Sequence, residues 1–251
     1  MLNILKSDFY KLRKTRSFWI CTLVSMALAV IFAAAMQAGV TDASAVDGRG
    51  AAEMLATVLF TGFNIFVIAA FVPIFVATEF QYGTINNTLS RGAGRTKVYL
   101  SKFIVSTCAT LIMELAFMLT FLAMGSAMWG FDPLSVVTFS GLFTLVSTQV
   151  LMIVAYTALF TFTSMVMRGT VSAIATNIAS LAIVTIVLNA ISSVFSETFS
   201  LADFWIGWGV SNLATLTPAS ADIVQGIMIA VAWGVASTVV GMTLFKKVDI
   251  K

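Results

Sequence analysis

Six long apolar runs alternate with short polar segments along this chain. Residues 18–38 form the first run, and the interval between Glu53 and Glu79 forms the second; neither holds a charge inside it. The third covers about 103–125 and carries one acid, Glu114. Residues 133–167 are uncharged and longer than one crossing needs, which puts the fourth helix at about 141–166. Residues 170–195 and 223–245 supply the fifth and sixth. A hydrocarbon core about 30 Å thick takes roughly 20 residues of helix, so each run predicts one membrane crossing. The expected fold is an all-α polytopic membrane protein, one transmembrane domain over residues 1–251.

The segments between the runs have characters of their own. Within residues 1–17, Leu2, Leu5, Phe9 and Leu12 recur at helical spacing while Lys6, Lys11, Arg13 and Lys14 fall mostly on other faces. This pattern predicts an amphipathic helix lying in the membrane interface with its lysines toward anionic head groups. Residues 39–52 read as a loop, and Pro133 closes a tight turn near 130–133. Residues 196–221 mix Phe199, Phe204, Trp205 and Trp208 with Asp203 and Asn212. Tryptophan favours the membrane boundary, so this segment predicts a pair of short helices dipping into one leaflet. Small residues repeat every four positions at Ser25, Ala29 and Ala33, and again at Ser172, Thr176 and Ser180, a spacing that lets helices approach closely in lipid.

Charge gives the crossings a direction. Of the 14 Lys and Arg residues, thirteen fall on one side if six spans are counted: five before the first run, Arg91, Arg95, Lys97 and Lys102 between the second and third, Arg168, and three in the tail. Arg49 alone falls opposite, together with the acids Asp42, Asp47, Glu53, Asp132, Glu197, Asp203 and Asp222. Basic loops stay cytoplasmic, so both termini are expected inside a plasma membrane and 196–221 outside. An odd number of spans would strand one basic terminus outside. The first run, about 20 residues, exceeds the 7–15 of a signal peptide and is expected to remain as a span. With 59% hydrophobic and 10% charged residues and a mean hydropathy of +1.00, little surface is left for water. The net charge of +3 follows from membrane orientation and points to no nucleic acid.

The chain contains no histidine, which argues against His-ligated metal and His general bases and makes an enzymatic role unexpected. Cys21 and Cys108 lack ligand-type neighbours and read as packing residues. Gly92-Ala93-Gly94-Arg95-Thr96-Lys97 superficially suggests a phosphate loop, but that motif needs Gly before its Lys and Ser or Thr after it. The match fails, so this chain is expected to have no ATPase site of its own. Glu114 is costly in the middle of a span. Either it faces a path and contacts substrate or a cation, or it is neutralised by a proton or by hydrogen bonds from Asn64, Gln149, Asn177 or Asn189. These five are the candidate polar residues of a translocation path.

The polar island at 79–102 is the most specific signal. Glu79 ends the second run, Gly83 permits a turn, Thr84 can cap a short helix over 85–89, and Gly92 and Gly94 break it. A new helix then starts near Thr96 and continues into the third span, with Arg95 and Lys102 seven residues apart and close to one face. Glu79, Gly83-Thr84, Leu89-Ser90-Arg91 and the segment from Arg95 to Lys102 resemble the coupling-helix region of type-2 ABC exporter permeases. The likeness is strongest to the six-span subunits of bacitracin and lantibiotic resistance or immunity. Many of those carry Pro where this chain has Gly92-Ala93-Gly94. The interfacial helix, six spans and membrane-dipping segment extend the resemblance over the chain.

That resemblance implies a permease that pairs with a second permease copy or paralogue and docks its coupling helix on separate ABC ATPase subunits. Glu79, Gly83, Thr84, Leu89, Arg91, Arg95 and Lys102 would form the coupling contact. ATP and Mg would be bound by the ATPase, with no cofactor on this chain. The apolar spans suit export of an amphipathic substrate such as an antimicrobial peptide, an antibiotic or a lipid-like compound. Export of sodium or another small solute, and a membrane immunity or sensor protein that transports nothing, remain open beside it.

Overall fold

A computed structural model describes residues 2–39, 51–59, 62–90, 92, 94–130, 139–195, 201–208, 212–213 and 219–247. Arg91, the loop at 40–50, the turn at Pro133 and half of 196–221 lie outside the described residues. The described chain is helical throughout its ordered elements, with no strand among them. Six helical segments are long and apolar enough to cross a membrane: Arg16–Ala38, Phe63–Gln81, Arg95–Trp129, Ser140–Met167, Thr170–Ile191 and Ser220–Lys247. These match the six predicted runs.

Helix α1 (Leu2–Lys14) precedes the first span and joins it at Thr15, whose N–H and hydroxyl both bond the Lys11 carbonyl. Its inward face differs from the expected apolar stripe. Leu12 is buried and Leu5 packs on the core, but Asp8 is buried between them while Leu2 and Phe9 are exposed. Positions 5, 8 and 12 share one helical face, so a carboxylate sits where the stripe predicted only apolar contact. Helix α2 (Arg16–Gly39) packs chiefly along α7 (Arg95–Trp129) and buries Ser25, Ala29 and Ala33 completely. Its small residues thus serve close packing, whereas Ser172 in the fifth span stays exposed.

The second run departs from a single continuous crossing. It is divided into α3 (Ala51–Leu59) and α4 (Phe63–Val76), followed by the short α5 (Thr78–Gln81). Gly62 adopts φ +78°, a left-handed conformation that ends one helix before the next begins. Helix α3, at 9 residues, is too short to cross and packs against α7 and α8 (Phe139–Met167). Pro73 lies inside α4 and has no N–H for the Ala69 carbonyl one turn earlier. The fifth span is divided as well: α9 (Thr170–Ala179) passes through a π turn at Ser180–Val184 into α10 (Thr185–Phe195). Helix α11 (Ser220–Lys247) runs along α8, its main neighbour.

The core centres on α4, α7 and α8, with Ile68, Phe71, Met113, Phe121, Ile153 and Phe160 fully enclosed. In the stretch before α11, Leu201–Phe204 forms a 3-10 turn. Trp205, Ile206, Trp208 and Leu213 are buried in the protein core, while Phe204 is exposed. Trp205 and Trp208, two of the large apolar residues that suggested a membrane-dipping pair, are therefore packed against the bundle.

Candidate functional site

The polar island gathers at the end of the bundle where α1, α7 and α11 have their basic termini and α4 ends. Helix α5 carries Glu79, the Tyr82-Gly83 turn reverses the chain, and helix α6 (Thr84–Ser90) follows. Gly83 adopts φ +64°, which a side chain would resist even though space around it is open. The Thr84 hydroxyl donates to the Glu79 carbonyl at 3.2 Å and so ties the start of α6 back to α5. Ile85 is buried and Leu89 packs on the core, so α6 is held down by its apolar side. Tyr82 projects outward, 78% exposed.

Beneath the turn lies a group of four charges. Lys102 donates to Glu79 Oε1 at 2.6 Å and to Asp8 Oδ1 at 2.7 Å. Ser101 donates to the other oxygen of Asp8 at 2.7 Å, and Lys11 reaches Glu79 Oε1 at 3.1 Å. The Lys102 and Asp8 side chains are only 2% and 4% exposed, and the Phe75 ring lies 5.1 Å from the ammonium. Two carboxylates and two ammonium groups balance, and the buried ammonium uses its donors on fixed oxygens. A buried ion pair survives on this condition, since desolvation costs several kcal/mol for each ion otherwise. The group joins α1, α5 and α7 without covalent continuity.

Arg95, predicted as a coupling contact, turns toward the last helix. Its Nη1 donates to the Lys246 carbonyl at 2.8 Å and more weakly to Phe245 at 3.5 Å. Cationic donors at a helix C-terminus satisfy carbonyls that have no partner within the helix. Thus Arg95 and Lys102, seven residues apart, bind different elements: one holds α11, the other α1 and α5. Thr170 at the start of α9 donates to Gln81 Oε1 at 3.1 Å, which brings the fifth span to the same place. A cavity of about 260 Å³ opens beside Glu79, walled by Lys11, Thr15, Phe75, Thr78 and Tyr82.

The polar residues within the spans separate into three places. Glu114 is buried and accepts from Asn64 Nδ2 at 2.6 Å and from Gln149 Nε2 at 3.3 Å, linking α7, α4 and α8. The Asn64 Oδ1 atom has no hydrogen-bond partner among the described residues. Asn177 belongs elsewhere. Its Nδ2 donates at 3.1 Å to the Ala69 carbonyl, the one that Pro73 leaves free, and its oxygen accepts from Thr163. The amide thereby repairs the gap that proline makes in α4. Asn189 is exposed and lines a separate cavity at the opposite end of the bundle. Glu114, Asn64 and Gln149 are therefore brought together, and Asn177 and Asn189 are not. Among the described residues, no group of three or more His, Cys, Asp or Glu converges to hold a metal ion.

Asp8 and Tyr82 escaped the sequence reading, and Lys11, read there only as a lysine toward head groups, also reaches Glu79. Asp8 did leave a trace, a lone carboxylate on the apolar face of an amphipathic helix. A family model described as ABC-2 family transporter protein matches residues 4–189, from α1 into α10. No curated protein matches the chain.

Proposed function

Since this chain belongs to the ABC-2 family of transporter proteins, we propose that it receives the motion of a separate ABC ATPase through the polar island and converts it into export. The family and the six apolar helices make it a multi-pass membrane protein, the membrane permease subunit of an ABC transporter. Membership also implies an ABC ATPase subunit as partner.

The four-charge group carries the proposal. Helix α6 and the Tyr82-Gly83 turn would enter a groove of the ATPase, which binds ATP and Mg. Glu79 links this contact to α4 and Lys102 links it to α7, while Asp8 adds α1. A push on α6 then moves these elements together instead of bending one of them. The basic end, on this reading, faces the cytoplasm, as loops rich in Lys and Arg do. A second permease copy or paralogue would complete the path, and an amphipathic substrate suits spans with so few fixed charges.

Co-expression with the cognate ATPase tests the proposal. Tyr82→Ala combined with Gly83→Val should abolish co-purification of the two proteins while the permease stays monodisperse. Lys102→Gln should preserve some assembly but uncouple ATP hydrolysis from substrate release in vesicles. Normal assembly and transport by both variants would sink the coupling role of the island.

A further inference from the structure

The end of the bundle opposite the polar island holds a cavity of about 310 Å³, within the size range of small-molecule sites. Its walls include Asp203, Trp205, Trp208, Thr185, Asn189 and Asn212. Among the described residues, no Lys or Arg lines it. Asp203 forms no salt bridge among the described residues. From this juxtaposition of an unpaired carboxylate with two indoles in a walled cavity, we infer that the cavity binds the cationic nitrogen of an organic ligand, an ammonium or guanidinium head.

The walls are fixed before any ligand arrives. Trp205 donates from Nε1 to Thr185 at 3.1 Å and packs edge-on against Trp233, with ring centroids 4.9 Å apart. Trp233 donates to the Phe204 carbonyl at 2.8 Å, and Gln225 to that of Asp203 at 3.3 Å. Tyr156 on α8 reaches the Ile206 carbonyl at 3.1 Å. Two spans thus hold the backbone of the 203–206 segment and a third holds the Trp205 ring, and a site held this way loses little entropy on binding. Both indoles are largely buried, so the ring surface they offer lies in a poorly hydrated place, where attraction between a cation and an aromatic face is strongest. The carboxylate supplies the opposite charge. An anion would meet Asp203 unshielded.

The inference rests on the permease reading for its biological setting and adds the chemistry of the substrate: an amphipath with a cationic head, held at the end that faces outward in the proposed orientation. The ammonium head of a choline lipid has the same chemistry, and the experiment separates the two sources.

Full-length protein in phosphatidylglycerol nanodiscs would be titrated with decyltrimethylammonium and with decanesulfonate, binding being read by calorimetry and by tryptophan fluorescence. The ammonium should bind saturably and the sulfonate should not. Asp203→Asn should weaken the ammonium about tenfold, as expected for loss of a charge-assisted contact, and Asp203→Glu should recover most of it. Asp222→Asn, which alters another acid at the same end, should leave binding unchanged. Discs of phosphatidylcholine should lower the apparent affinity if lipid heads occupy the cavity and leave it unaltered if free amphipaths are the ligand; either way the site takes a cationic nitrogen. Equal binding of both probes, no saturable binding, or an affinity indifferent to Asp203→Asn overturns the inference. Co-purification and ATP hydrolysis with the cognate ATPase, followed in parallel, report on the permease reading independently of the cavity.

Discussion

Lys102 and Asp8 lie 94 positions apart in sequence and meet at 2.7 Å inside the protein, with Glu79 on the far side of the ammonium. Removing the lysine strands two carboxylates. Lys102→Met should cost about 3–5 kcal/mol, the usual penalty for breaking a buried pair at one partner. Adding Asp8→Asn should restore part of the loss, because one uncompensated charge disappears. Thermal unfolding of the detergent-solubilised single and double variants measures both effects.

Asn177 fills the place of a backbone donor. Asn177→Leu should leave the Ala69 carbonyl without a partner in the α4 interior and cost about 1–3 kcal/mol. A fall in the unfolding midpoint checks the size. Pro73→Ala made in the same background should return most of the stability, since α4 then regains its own N–H at that turn. A structural role predicts this rescue, and a role in substrate passage does not.

Glu114 holds two amides. Glu114→Leu should lower stability by about 1–3 kcal/mol for each donor left unmade on Asn64 and Gln149, whereas Glu114→Gln should come close to the parent. Transport separates two roles. Export of an amphipath should survive Glu114→Gln; coupled movement of sodium or another small cation requires the carboxylate and should stop. Stability curves and flux through proteoliposomes supply the two readouts.

Arg95 should act locally on the last helix. Arg95→Ala removes the donor from the Lys246 and Phe245 carbonyls and should cost about 1 kcal/mol, since the contact is partly exposed. Hydrogen exchange near residues 243–247 should quicken, with exchange in α1 unchanged. Faster exchange in α1 instead would show that Arg95 and Lys102 act as one unit.

The number and placement of the spans were legible because each apolar run is about as long as a membrane is thick. The division at Gly62 was hidden by its surroundings: no charge interrupts the run between Glu53 and Glu79, and a glycine inside an apolar run is common in membrane helices. Asp8 was overlooked because charges on an amphipathic helix ordinarily mark the wet face, although its register with Leu5 and Leu12 already put it on the apolar one. The partners of Arg95 are backbone carbonyls about 150 positions away, and a carbonyl has no identity in sequence. Pro73 and Asn177 make the instructive case. A proline within a buried helix announces an orphaned carbonyl, and a nearby polar residue on another span is a natural candidate to meet it, whereas the sequence reading took Asn177 as a candidate for a translocation path or for a bond to Glu114.

Helix α7 runs for 35 residues without a break, from the Arg95 contact to Trp129, while the second and fifth spans are interrupted by Gly62 and by the π turn. At 1.5 Å per residue it is a rod of roughly 50 Å, far longer than the bilayer core is thick. The second and fifth spans have joints, and α7, like α2, α8 and α11, has none. A tilt of a few degrees imposed at Lys102 therefore reappears as a lateral sweep of several ångströms at Trp129, making α7 the lever of this bundle and the jointed spans the parts that give way around it.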